Sequence, residues 1–229
     1  MPDVPESIAK GLENLRRYER ELLNLEMAVL RAYGGTLYPL DLMAAAGAKR
    51  ALAQATGFRH MIETRNLVCA GALLRLQVDT ALRFYAAFRV ESPHDFAMQV
   101  FDGAEIRNLK DRHGHKMTDK YLVSCLVDES PDNAWIERVY KETSGYVHFS
   151  SKHMFSIYHP RSEEHSSVHI EIGATDVPLP DSIYAEALEA FIAATSLFMR
   201  YLHGWGTTKQ NPHLGKVARN EVRRKPRTS

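Results

Sequence analysis

A chain of 229 residues, 45% hydrophobic and 25% charged, has the composition of an ordinary soluble globular protein and can bury one sizeable core. Its formal net charge of +1 excludes a nucleic-acid or membrane partner recognised through overall charge alone. Charge concentrates only at the C-terminus, where Lys216, Arg219, Arg223, Arg224, Lys225 and Arg227 stand against Glu221. That run reads as a disordered, solvated tail over 209–229, or as a weak, salt-sensitive contact with phosphates.

In chain order, helix signals come first. Ile8, Leu15, Leu22 and Val29 recur every seven residues, which predicts an amphipathic helix over 6–32, stopped by Gly34-Gly35. A second helix is expected from Pro39 or Asp41 to Thr56, with Gly57 interrupting it. A third runs over 63–90, up to Ser92-Pro93, and a short one over 95–101. Residues 103–114 read as a loop or frayed helix. Thr118 offers an N-cap, and Ser130-Pro131 starts a helix over 131–149. The period then changes to two: Met154–His159 and Ser167–Ile172 predict a small β-hairpin over about 153–173. Asp181 or Ser182 opens a last long helix, closed by Gly204 and Gly206.

Cys69 and Cys125 sit in apolar sequence with no secretory leader ahead of them, so they are expected to be reduced core thiols in a cytoplasmic protein. They lack the Cys-x-x-Cys spacing of a zinc site. The apolar stretch 67–90 is broken by Arg75, Gln77, Asp79 and Arg83, too often for a membrane span. The fold class is therefore mainly α: a single helical-bundle domain over 1–208, with one small β-hairpin before the last long helix.

Two polar rows stand out within these apolar helices. Residues four apart share a helix face, so Tyr140, Ser144 and His148 form one row and Arg75, Asp79 and Arg83 another. In the first, His148 can transfer a proton while Ser144 or Tyr140 orients it or binds substrate. The same residues could equally do no more than fix helix packing through hydrogen bonds. In the second, a carboxylate between two guanidiniums suits an imidazole that must be held in one tautomer. Asp79 is therefore expected within direct or water-bridged reach of His148 or Tyr140. An intrahelical ladder of i,i+4 ion pairs is the plainer alternative. The histidines His148, His153, His159, His165 and His169 show no His-x-x-x-His spacing, and neither a metal nor a cofactor is expected.

A further group, Arg107-Asn108-Leu-Lys-Asp-Arg-His113, resembles the Arg-polar…His pattern of the HEPN superfamily of helical proteins. Many HEPN members are metal-independent endoribonucleases that act as dimers. The resemblance implies that Arg107 binds the scissile phosphate and His113 assists attack by the 2′-hydroxyl. It also implies RNA or another phosphate-bearing ligand, and a second copy of the chain, as partners. From Arg65 to about His153 the chain resembles a group of uncharacterised, mostly bacterial helical proteins. The residues that carry this are Arg75-Leu-Gln77-Val-Asp79-x-x-Leu-Arg83, Lys116-Met-Thr-Asp119-x-Tyr-Leu and Tyr140-x-x-x-Ser144-x-Tyr-Val-His148-Phe-Ser150. That likeness implies a helical fold with a shared polar centre and no particular reaction. Two functions remain open: HEPN-like RNA processing or phosphate handling in a bacterial defence or toxin setting, and a non-catalytic helical binding or regulatory module.

Overall fold

The structure, a computed structural model, describes residues 5–155, 157–160, 168–170, 172–176 and 179–212. It is mainly helical. The long helices are α1 (Glu6–Arg31), α2 (Pro39–Glu63), α3 (Leu67–Ala86) and α8 (Asp181–Gln210), joined by the shorter α4 (Pro93–Phe101), α5 (Asp119–Glu129), α6 (Trp135–Val147) and α7 (Ser151–Phe155). α8 packs along α1 and α3, α2 lies against α3, and α6 covers another face of α3. α3 is thus central, which is why its sequence is apolar nearly all round: Ala70, Leu74, Val78, Ala81, Leu82 and Tyr85 are all buried. Aromatic pairs fill the contacts, with Phe58 stacked on Phe191 at 4.2 Å and Phe84 edge-on to Phe198 at 5.1 Å.

Several boundaries differ from the sequence expectation, each for a local reason. α2 continues through Gly57 to Glu63 because Phe58 and Ile62 bury at 0% and 1% exposure, and tertiary packing overrides weak propensity. The α2–α3 junction is a turn in which Arg65 takes a positive φ of 57°. Asn66 then caps α3, accepting from the Cys69 N–H at 3.0 Å. α8 passes through Gly204 and Gly206 to Gln210. Gly206 marks a close approach rather than a stop, since a Cβ there would lie 2.9 Å from Val29 Cγ2 of α1. Lys209, assigned by sequence to the basic tail, is accordingly a buried helical residue. The rest of that tail, 213–229, lies outside the described residues. Cys125 is buried, whereas Cys69 is exposed and not a core thiol.

The β-hairpin expected over about 153–173 does not form as a layer of the fold. Met154 and Phe155 belong to α7 instead. Ser150 explains the change: its Oγ accepts from Lys152 N–H at 3.3 Å, and its carbonyl accepts from His153 N–H at 3.0 Å. This is a local start signal that outweighs a short period-two pattern. Among the described residues of this segment, antiparallel pairing joins β1 (Tyr158–Pro160) and β2 (Val168–Ile170), with Tyr158 opposite Ile170 and Pro160 opposite Val168. His165, at the expected turn, lies outside the described residues.

Candidate functional site

α3, the start of α5 and the C-terminal half of α6 enclose a groove of about 360 Å³ lined by Arg75, Leu76, Asp79, Asp119, Tyr140, Ser144, Val147 and His148. Arg75 and Asp79 of one polar row and all three residues of the other therefore open on one space. α3 and α6 can approach because Gly71 faces Tyr146: a Cβ on Gly71 would stand 2.5 Å from the ring. At the floor, Thr118 caps α5 by accepting from Tyr121 N–H at 3.3 Å. That cap presents Asp119, the first helical residue, to α3.

Asp119 is the hub. Its Oδ2 accepts from Arg75 Nη2 at 2.7 Å and from the Tyr140 hydroxyl at 3.4 Å, and its Oδ1 accepts from Arg83 Nη2. Arg83 Nε also donates to Asp79 Oδ1 at 3.0 Å, and Arg50 Nη1 of α2 donates to Asp79 Oδ2 at 2.9 Å. The Arg75 guanidinium lies 4.2 Å over the Tyr140 ring, a contact that fixes its plane. Three guanidiniums thus share two carboxylates, which leaves one positive charge in excess.

No direct hydrogen bond joins Asp79 to the imidazole. Asp79 is used by Arg50 and Arg83, and Tyr140 pairs with Asp119 instead. His148 is the C-terminal cap residue of α6, exposed, and makes no hydrogen bond to a described residue. Ser144 is not poised as a nucleophile towards it, because its hydroxyl donates back to the Tyr140 carbonyl at 2.7 Å.

Arg107, Asn108 and His113 are not part of the groove. Arg107 and Asn108 sit in an exposed 3-10 turn, Ile106–Asn108, where both donate to Glu105 Oε2, at 2.8 and 2.9 Å. The hydrogen bond and charge of Arg107 hold the Glu105 carboxyl below its ordinary range. His113 is exposed in the next turn, and its backbone N–H donates to Asp111 at 2.9 Å. Asp111 is the anchor there. Burial pushes its carboxyl up, but hydrogen bonds from the Tyr121 hydroxyl and the His115 and His113 N–H groups outweigh burial and leave it lowered. The Arg107-to-His113 segment is a loop scaffold rather than a helical constellation.

Sequence reasoning missed Arg50, which has no carboxylate three or four residues away on its own helix, and undervalued Asp119, which appeared only within a motif. A carboxylate in the first turn of a helix reads as favourable to the helix dipole, so nothing local marks it as a partner of residues 36 and 44 positions away. Among the described residues no three His, Cys, Asp or Glu side chains are placed to hold a metal ion. Comparison with protein-family models, with curated proteins and with solved structures returns no match.

Proposed function

We propose that this is a cytoplasmic phosphate-handling protein whose ligand-binding region is the α3/α5/α6 groove, not the HEPN-like motif in the 105–113 turn, with RNA the first ligand to test. The observation that carries the reading is the exposed, unpaired His148 in the same groove as Arg75, within a network that has one guanidinium more than it has carboxylates. A guanidinium fixed in plane by Tyr140 and Asp119 suits a phosphate oxygen. An imidazole that ligand and water can both reach suits proton transfer to or from a ribose hydroxyl. Ser144 would contribute only its lone pairs.

A second reading has its own support. Both oxygens of Asp79 and both of Asp119 already accept from guanidiniums, which is how ion pairs hold helices together. On that reading the chain is a non-catalytic binding or regulatory module. RNA binding by fluorescence anisotropy and RNA cleavage in EDTA separate the two, using the parent, His148→Ala and His113→Ala. Phosphate handling at the groove requires salt-sensitive binding, metal-independent cleavage lost in His148→Ala, and cleavage retained in His113→Ala. Binding without cleavage supports the module. Loss of cleavage in His113→Ala alone would move the site back to the 105–113 turn.

A further inference from the structure

Away from the groove, a second set of ionisable groups is sealed where α1, the start of α2 and the last turns of α8 meet. Asp41 and Lys209 pair at 2.9 Å with wholly buried side chains. Asp41 is fully served: Tyr38 N–H donates to Oδ2 at 2.7 Å and Trp205 Nε1 to Oδ1 at 2.7 Å, in addition to Lys209. Lys209 also donates to the Val29 carbonyl of α1 at 2.9 Å. Glu26 of α1 lies beside this pair at 6% exposure, and both its carboxyl oxygens are buried without a hydrogen-bond partner. The other titratable groups at the junction are Tyr38, whose ring lies 6.0 Å from Lys209 Nζ, and His94 of α4, which stacks on Tyr38 and meets Trp205 edge-on.

Were Glu26 and Asp41 both ionised, two negative charges would face one positive charge out of water. A buried charge without partners neutralises rather than persists. Asp41 has three donors aimed at it; Glu26, with none, takes the proton. We propose that Glu26 is held as a neutral carboxylic acid in the folded protein and that its ionisation, as pH rises, unlatches the last turns of α8 from α1 and α2. The ties that would loosen are Lys209 to the Val29 carbonyl and the Tyr33 N–H to Gln210 Oε1 bond at 2.8 Å, because an ionised Glu26 competes with Asp41 for Lys209 and draws water inward.

Burial first, then repulsion by Asp41, raises the Glu26 carboxyl from 4.5 to about 7, against a smaller opposing pull from Lys209. The folded state therefore binds the proton more tightly than the unfolded state. The resulting stability is complete below the unfolded value of 4.5, falls as pH rises, and is gone above about 7.

Denaturant unfolding across about pH 5 to 8.5 tests this by comparing the parent with Glu26→Gln, whose amide has no proton to lose. The parent's folded-to-unfolded ratio, divided by that of the variant, should drop on the order of a hundredfold from acid to alkali. Tryptophan fluorescence of the native protein, read in a Trp135→Phe background so that Trp205 alone reports, should shift over the same interval with Glu26 present and not in Glu26→Gln. Parallel stability profiles, or a flat Trp205 signal, would overturn the proposal. Should Glu26→Gln fail to fold, the parent alone decides: unfolding near pH 6 should release about one proton, read by calorimetry in buffers of different ionisation enthalpy, and no release would overturn it.

Discussion

Two of the ion-pair networks that tie helices together in this molecule differ in what they leave open. At the α1/α2/α8 junction the Asp41–Lys209 pair is shut away from water, with each Asp41 oxygen occupied by a donor. Around Asp119 the same chemistry sits at 12–21% side-chain exposure for Arg75, Asp79, Arg83 and Asp119, on a groove edged by a free imidazole. A lost partner in the closed junction cannot be replaced by water, whereas in the groove it can. Paired charge between helices therefore does not mark a functional site. A candidate site is narrowed to networks that both solvent and a ligand can reach.

The largest expected effect tests the closed side of this contrast. Lys209→Ala leaves Asp41 buried and charged with only Trp205 and the Tyr38 N–H as donors, and should cost about 3–5 kcal/mol in urea unfolding. Much of that loss should return in Asp41→Asn/Lys209→Ala, where no charge is stranded. A single-variant cost below about 1 kcal/mol would mean that water reaches the junction, and the contrast would fail.

A smaller effect sharpens the groove side. Gly71→Ala introduces a Cβ 2.5 Å from the Tyr146 ring, so the ring must swing aside or α3 and α6 must move apart, at a cost of about 1–3 kcal/mol by overpacking. Because these two helices carry Arg75 and His148, RNA affinity should fall in the same variant, measured by anisotropy. Loss of stability with unchanged affinity would show that the groove does not depend on this crossing.

These two regions also differ in how far they could be read from sequence. The rows Arg75/Asp79/Arg83 and Tyr140/Ser144/His148 were visible because charge at four-residue spacing interrupts apolar helices, and the structure turns Arg75, Asp79 and all of the second row to one groove. Their pairing was not visible. Asp79 and His148 are matched by residue type, but Arg50 and Asp119 win the contacts through tertiary placement that no spacing rule encodes. The closed junction was hidden altogether. Glu26 looks like one more surface charge on α1, and Lys209 like the start of a basic tail, because burial at the ends of long helices depends on which helix covers them. Helix existence was legible from periodicity; helix ends were not, since Gly57, Gly204 and Gly206 are absorbed by packing and Ser150 starts a helical turn where alternation suggested a strand.

The smallest expected stability effect is at His148, and it is the most telling. An imidazole wedged against Asp79 would lose about 1–3 kcal/mol on truncation, through the unpaired group left behind. Here Asp79 keeps both guanidinium partners whatever stands at position 148, and His148 itself is exposed. His148→Ala should therefore unfold within about 0.5 kcal/mol of the parent, as surface substitutions do. A side chain that the fold does not need, set at the mouth of a groove beside Arg75, is free to serve a ligand. If His148→Ala is instead as destabilising as Gly71→Ala, the imidazole is part of the scaffold, and the groove joins the α1/α2/α8 junction as structure alone.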